Sequence, residues 1–377
     1  MMNTYDFLVI GAGIAGASAA YELAASGRVV LLERENLPGY HSTGRSAAVL
    51  TENYGNSIIR RLTVVSRRFL ENPPEGFTTS PLLSLRGVLW IAREDQQDTL
   101  AQTLAEAQQL VPSIHAVDCT EAKRLCPVLQ EEYFVAAVLE PDAMDMDVHA
   151  IHQGFLKGFR NRKGNLVTNA EVTHLERSGE SWVVHTTKDR FSTGVVVNAA
   201  GAWCDEVGKL VRARPIGLVP KRRTAFIFDG PENSHLHAWP VVIDVDEQFY
   251  FKPESGRLLA SPADETPLPP CDVYPEEYDV ALAVDRIEKA TTLSIRHIRR
   301  KWAGLRSFVA DKIPVVGMDT ALSGFFWLAG QGGYGIMTSP AMARAAASLI
   351  VEDHLPEDLA AMGLTPEDLS PARLQKA

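Results

Sequence analysis

The amino-acid sequence predicts an α/β fold: a cofactor unit on a parallel sheet, interrupted twice by a second unit rich in antiparallel strands. Three observations carry this. Residues 5–33 read as strand, glycine-opened helix and strand, a parallel crossover of about 30 residues. Residues 221–262 read as short strands joined in hairpin fashion. Residues 324–356 return to an apolar strand, a glycine-rich turn and a long helix.

In order, "YDFLVI" (5–10) is a short buried strand, followed by an Ala-rich helix running to Gly27 and by "RVVLLER", a strand ending at Glu33. Residues 58–71 have helical spacing, "PLLSLRGVLWIA" (81–92) changes to strand, 94–111 are helical and "TEAKRLCP" (120–127) is a shorter helix. "HAIHQGFLKGFRNRKG" (149–164) is an amphipathic helix closed by glycine. "GNLVTNAEVTHLER", "SWVVHTTKDRFST" and "GVVVNAAGAW" are strands, as are "RTAFIFDG", "WPVVIDVDEQFYFKP" and "RLLASP". The Pro- and acid-rich stretch 263–280 is a loop, "DVALAVDRIEKATTL" (279–293) a helix, and "RKWAGLRSFVADKIPVVG" (300–317) strand and turn.

A chain of 377 residues exceeds one typical core. With 46% hydrophobic and 22% charged residues it has the composition of a soluble globular protein. The net charge of -10 argues against nucleic acid or anionic lipid as partner. No run of about 18 apolar residues suggests a membrane span, and the opening "MMNTYDFLVIGAG" lacks the basic start of a leader. Cys119, Cys126, Cys204 and Cys271 have no metal-ligand spacing, so free thiols in a reducing cytoplasm are expected.

Gly11, Gly13 and Gly16 stand in G-A-G-I-A-G between strand and helix. The first allows the tight turn, the second a close pyrophosphate, the third close helix packing, while the helix N-terminus offers free N–H groups. Glu33, ending the next strand, suits a ribose diol. This pattern does not separate FAD from NAD. Gly330, Gly332, Gly333 and Gly335 open a long helix after an apolar strand. A helix N-terminus there would favour the negative charge that develops on a reduced flavin. "VVVNAAGAWCDEVG" (195–208) suits either close backbone approach to a nucleotide or a plain core turn. Arg223 precedes a strand, and Arg306 sits in an otherwise apolar glycine-containing turn, "WAGLRSF". With the Tyr250 phenol, the two guanidinium groups would hold a substrate carboxylate. His149 and His152 read as surface or packing residues.

Together "GYHSTGRSAA", "NAAGAWCD", "PKRRTAFIF", "FYFKP", "WAGLRSF", "GQGGYGIMTSP" and the first glycine motif resemble the FAD-dependent D-amino-acid oxidase family, nearest to bacterial D-arginine dehydrogenases. The resemblance spans nearly the whole chain. It implies a glutathione-reductase-like FAD domain (1–82, 147–218 and 306–377) with an inserted antiparallel substrate domain (83–146 and 219–305). FAD would lie along Gly11, Gly13, Ile14, Ala15, Gly16, Glu33, Arg34, His41, Ser42, Val172, Ala200, Gly201 and the run Gly332, Gly333, Tyr334, Gly335, Ile336. Arg45 and Trp203 are assigned to the same site, and Ser46 and Ala47 to the reactive end of the flavin. Arg223, Arg306, Tyr250 and Tyr54 would surround the substrate, with the Gly333 carbonyl meeting its amino group. Monomeric sarcosine oxidase tethers flavin through a Cys in the segment matching 305–309; "LRSFV" stands here, so FAD should be non-covalent.

This sequence departs from the D-arginine enzymes at Val49 and Val88, where they carry His and Glu. With Thr51, Val241 and Ile243 completing the pocket, a buried cationic side chain would lack a carboxylate. Val49 to Thr51 would begin a mobile segment carrying Tyr54 over the substrate. The expected reaction is oxidative deamination of neutral or apolar D-amino acids, with a quinone-like acceptor or oxygen taking the electrons. Alternatives are an oxidase of secondary amines or glycine-like substrates releasing hydrogen peroxide, and a non-catalytic dinucleotide-binding protein.

Overall fold

The computed structural model describes residues 3–232 and 235–375. Strand β1 (Asn3–Ile10) leads through the glycine turn into helix α1 (Ile14–Leu23), and β2 (Val29–Leu32) returns beside β1 in parallel register, Phe7 opposite Val29. Helix α1 stops at Leu23 rather than at Gly27, because Ala24–Gly27 form the turn into β2, closed by the Ser26 N–H to the Leu23 carbonyl. A two-residue strand β3 (Val49–Leu50) precedes α2 (Ser57–Glu71), whose N-terminus is capped by Asn56 accepting from the N–H groups of Ile58 and Ile59.

Strands β4 (Leu83–Leu85) and β5 (Val88–Ala92) are separated by a bend at Arg86–Gly87, where Gly87 takes a positive φ of 70°. Helix α3 (Gln97–Gln108), β6 (His115–Val117), α4 (Cys119–Leu125), β7 (Ala136–Glu140), β8 (Met144–Met146) and α5 (Val148–Asn161) follow. Next come β9 (Asn165–Val167), β10 (Val172–Ser178), β11 (Ser181–Thr186), β12 (Arg190–Asn198) and α6 (Cys204–Leu210). The chain continues through β13 (Val219–Phe228), β14 (Val241–Asp244), β15 (Tyr250–Glu254), β16 (Arg257–Ser261) and α7 (Glu277–Ala290). It ends with β17 (Ile298–Phe308), β18 (Val315–Met318), β19 (Phe325–Ala329) and α8 (Ser339–Val351), followed by short helical turns.

Two 8-stranded sheets result. The first runs β10-β11-β12-β1-β2-β9, with β19 against the second half of β12 and β18 beyond it. Its β1, β2, β12 and β19 are parallel; β2, β19 and the second halves of β1 and β12 are largely buried and read as apolar runs, residues 7–10 and 195–197 in the latter two. One face packs on α1, α2, α5 and α8; the other carries Trp182, Cys204, Val207 and Trp327. The second sheet runs β17-β13-β16-β15-β14-β5-β7-β6 and is antiparallel except between β14 and β5. Its two faces are covered by α4 and α7 on one side and α3 on the other. A 3-stranded sheet, β3-β8-β4, joins the segments leading to them.

Candidate functional site

The carboxyl ends of β1, β2 and β12 meet the middle of β13, the start of β15 and the last third of β17 around a cavity of about 420 Å³. Open α/β sheets bind ligands at that end of their strands. The floor is the turn Gly11–Gly13. Gly11 has φ +98°, and a Cβ there would sit 2.6 Å from the Ala199 carbonyl oxygen. A Cβ on Gly16 would come within 1.8 Å of the Gly11 carbonyl oxygen, so Gly16 packs helix against turn and does not line the cavity, whereas Gly13, Ile14 and Ala15 do. The Glu33 carboxylate accepts the Ala12 N–H at 2.8 Å and the Glu35 N–H at 3.0 Å, which holds the turn to β2.

Residues 39–47 cross the cavity. Thr43, which the sequence reading passed over inside "HSTGR", accepts the Ile14 N–H at 2.9 Å and so caps α1. Ser42 donates to the Leu305 carbonyl at 2.7 Å. The Arg45 guanidinium, expected to serve the cofactor, is occupied by the protein: Asp272 at 2.5 Å and the carbonyls of Val273 and Ala303 at 3.1 Å. Ser46 and Ala47 line the cavity beyond it. At the rim beside Glu33, the Arg34 guanidinium lies 4.3 Å over the Trp203 ring, and His41 packs on the same ring at 4.7 Å. Both side chains also bond Glu35, at 3.0 and 2.9 Å, and His41 and Arg34 hold that carboxyl below its ordinary range although burial works against them. Val172, Ala200 and Gly201 complete this wall. His152 is buried in α5 and bonds the Ala12 carbonyl at 2.9 Å, a packing contact under the glycine turn.

The glycine-rich C-terminal turn differs from the expectation. Gly330 to Gly335 do not open the helix directly; a turn through Thr338 precedes α8, which begins at Ser339. That turn itself supplies the wall, through Gln331, Gly332, Gly333, Gly335 and Ile336. Tyr334 points the other way, into the core, 5.1 Å from the Tyr54 ring. The Gly332 N–H donates to the Ser307 carbonyl at 2.9 Å and ties the turn to β17.

Arg223 and Arg306 lie inside strands, not before one or in a turn: Arg223 in β13 and Arg306 in β17. In this antiparallel pair Lys221 is opposite Arg306 and Arg223 opposite Gly304, so the three cations share one face. Like charges directly opposite are unfavourable unless an anion answers them. Glu265 serves Lys221 at 2.7 Å and Arg223 at 3.3 Å, and the Arg223 Nε is buried without a partner. Arg306 donates to the Tyr54 hydroxyl at 3.1 Å, and Tyr54 donates to Glu247 at 3.2 Å. Arg306 is half-buried and lines the cavity. Burial disfavours its charge, but Tyr54, Tyr250 and Glu247 outweigh burial and its pKa stays above the ordinary value. Burial raises the Tyr54 pKa, so its hydroxyl is a neutral donor and acceptor. A Cβ on Gly333 would stand 2.7 Å from Arg306 Nη1, which places this glycine directly against the guanidinium. Tyr250 lines the same end.

Val49, Thr51, Val88, Val241 and Ile243 do not line the cavity. Val88 and Val241 are paired neighbours in the second sheet, and Val49, Ile243 and Tyr54 pack on the same cluster. Val49 is a paired strand residue, opposite Asp145, and not the start of a free loop. Thr51 is buried and its hydroxyl donates to Glu140 at 2.6 Å. The valines are not without a carboxylate. Glu140 is the paired neighbour of Val88, and Glu247 reaches Tyr54. Sequence spacing gave no sign of either, because each is brought in by sheet register or a tight turn, Glu247 at φ +54°.

A glycine turn beneath a helix, an acidic residue closing it and a cationic pocket at its far end define a dinucleotide-dependent oxidoreductase. The family model for FAD dependent oxidoreductases (DAO) matches residues 6–349, and the chain belongs to that family, whose cofactor is FAD. Over 376 residues the chain is 24% identical to the uncharacterized oxidoreductase YurR of Bacillus subtilis (strain 168), covering 94% of this chain and 97% of that one. It is 22% identical over 379 residues to glycine oxidase of Geobacillus kaustophilus (strain HTA426), covering 97% and 98%. Among solved structures, L-proline dehydrogenase from P. horikoshii superposes with a TM-score of 0.86 at 22% identity, covering 100% and 99%, and establishes the shared fold. Glycine oxidase from Geobacillus kaustophilus gives 0.82 at 22% identity, covering 92% and 95%. No helix among the described residues is long and apolar enough to cross a membrane.

The residues present fit FAD. Gly11 leaves no room for a Cβ, with the Ala199 carbonyl oxygen 2.6 Å from where one would stand, so the turn that forms the floor stays close to Ala199, and the orphaned Arg223 Nε and Gln331 Nε2 stand in residues of the cavity wall. Gly11, Gly13 and Glu33 would hold the pyrophosphate and ribose end, and Ser46, Ala47 and the 332–336 turn the ring.

Proposed function

We propose that the protein is an FAD-dependent D-amino acid dehydrogenase that converts neutral or apolar D-amino acids to 2-oxo acids and ammonia. The observation that carries this reading is the shared cationic face of Lys221, Arg223 and Arg306, with one carboxylate, Glu265, between the first two. With Glu247 acting on Arg306 through Tyr54, the three cations exceed the two nearby carboxylates by one charge, which a substrate carboxylate supplies. The apolar preference rests on the sequence: Val49 and Val88 stand where the D-arginine enzymes carry His and Glu, although both pack in the core behind the cavity and not on its wall. FAD, held non-covalently, would supply the two-electron acceptor for hydride from the substrate Cα. Arg223 and Arg306 orient the carboxylate, Tyr54 and Tyr250 flank it, and the Gly333 carbonyl accepts from the amino group. The neutral amine's lone pair forms the C=N bond as hydride leaves; water then hydrolyses the imino acid, releasing ammonia. No side chain is required as a Cα base.

Glu247 is the carboxylate able to answer a cationic side chain, so D-arginine is the discriminating substrate. Anaerobic flavin bleaching against D- and L-forms of leucine, methionine, phenylalanine and arginine tests the proposal. Faster bleaching by apolar D-amino acids is expected. Preference for D-arginine overturns the side-chain reading, and preference for L-amino acids overturns the chirality. The similarity to glycine oxidase keeps a second reading in view, an oxidase of glycine-like amines; bleaching by glycine or sarcosine, with peroxide formed in air, would establish it instead.

A further inference from the structure

Glu140 is a buried carboxylate that the reaction above does not use. It ends β7 opposite Val88 and is 1% exposed. One oxygen accepts the Thr51 hydroxyl at 2.6 Å and the other the Glu52 N–H at 2.8 Å. Among the described residues no cation forms an ion pair with it: the nearby Arg67 bonds Glu52 at 2.9 Å, Glu71 at 2.8 Å and the Asp142 carbonyl at 2.9 Å. A carboxylate buried for one hydroxyl and one amide is costly, and an apolar residue would fill the same wall at less cost.

What the carboxylate holds is the backbone just before Tyr54. Thr51, Glu52 and Asn53 are all buried, and Asn53 carries two side-chain polar atoms without partners, so this segment is threaded through the interior instead of looping over it. Two residues beyond Glu52, the Tyr54 hydroxyl accepts from Arg306 and donates to Glu247. Moving residues 51–52 therefore moves the group that aims Arg306. We infer that Glu140 is a positioning residue: by holding Thr51 and Glu52 it sets Tyr54 against Arg306 and so fixes the substrate-carboxylate site. The inference rests on the reading that Arg306 binds the substrate.

The test compares Glu140→Gln, Glu140→Leu and Thr51→Val in the FAD-loaded enzyme with D-leucine and a dye acceptor. Glutamine can accept the Glu52 N–H and donate to the Thr51 oxygen, so it should keep KM within about twofold of wild type. Leucine removes both contacts and should raise KM about tenfold or more with a smaller change in kcat, and valine at 51 should raise it about threefold. Flavin content should stay unchanged. In a Tyr54→Phe background the leucine substitution should add little, because the two changes act through one contact. A lowered melting temperature with unchanged KM, or an equal KM rise in the Tyr54→Phe background, overturns the inference and leaves Glu140 a packing residue. If Glu140→Leu does not fold, an unchanged KM in Thr51→Val overturns it. Arg306→Met separates the two claims: an Arg306→Met enzyme with normal KM refutes the carboxylate reading itself, whatever Glu140 does.

Discussion

Replacing Glu140 by glutamine should change how stability depends on pH. Burial is the largest influence on this carboxyl and pushes it up to about 7, against the downward pull of the Thr51 hydroxyl and Glu52 N–H. The unfolded value is 4.5. Between these two values the folded protein keeps a proton that the unfolded chain has lost, so stability falls as pH rises through the window. At about 1.4 kcal/mol per unit, the charged carboxylate costs the fold about 3 kcal/mol above pH ~7 and nothing below pH ~4.5. Glutamine keeps the hydrogen bonds and removes the titration. The variant should therefore exceed wild type by less than about 1 kcal/mol near pH 5 and by about 3 kcal/mol at pH 8. With about 2 cal/mol/K of unfolding entropy per residue, that is a Tm difference of about 4 °C. Differential scanning of the two FAD-loaded proteins from pH 5 to 8 measures it, and groups common to both cancel. A difference that is flat with pH, or that grows toward acid, refutes the assignment of an uncompensated buried carboxylate.

Arg306→Met should lower kcat/KM by about 30- to 1,000-fold, since it removes the charged partner of the substrate and leaves Tyr54 with one bond fewer, while the 450 nm flavin band persists. Gly16→Ala should abolish FAD binding, read as loss of that band, because its Cβ would meet the Gly11 carbonyl oxygen at 1.8 Å and push α1 from the turn. Asp272→Ala should release the Arg45 side chain from its carboxylate while leaving the Val273 and Ala303 carbonyl contacts, and should speed FAD loss a few-fold, measured as recovery of free-flavin fluorescence on dilution.

Local chemistry was legible in the sequence wherever it depends on near neighbours. The crossover of β1, α1 and β2 was legible because glycines, apolar runs and a terminal Glu33 all lie within one short stretch. A dinucleotide site was legible because its phosphate-binding turn is local as well, whereas FAD rather than NAD was legible only through the resemblance of motifs spread along the whole chain. What sequence left undecided is what strand register assembles. Arg223 and Arg306 are 83 positions apart, and only the pairing of β13 with β17 sets them on one face beside Lys221. The same holds for Glu140, placed beside Val88 by β5 and β7, and for Arg45, whose guanidinium Asp272 takes up from far along the chain. Side-chain charge and turn propensity are written residue by residue; which charges face each other depends on strand order, and that is settled only when the sheets close and bury their faces.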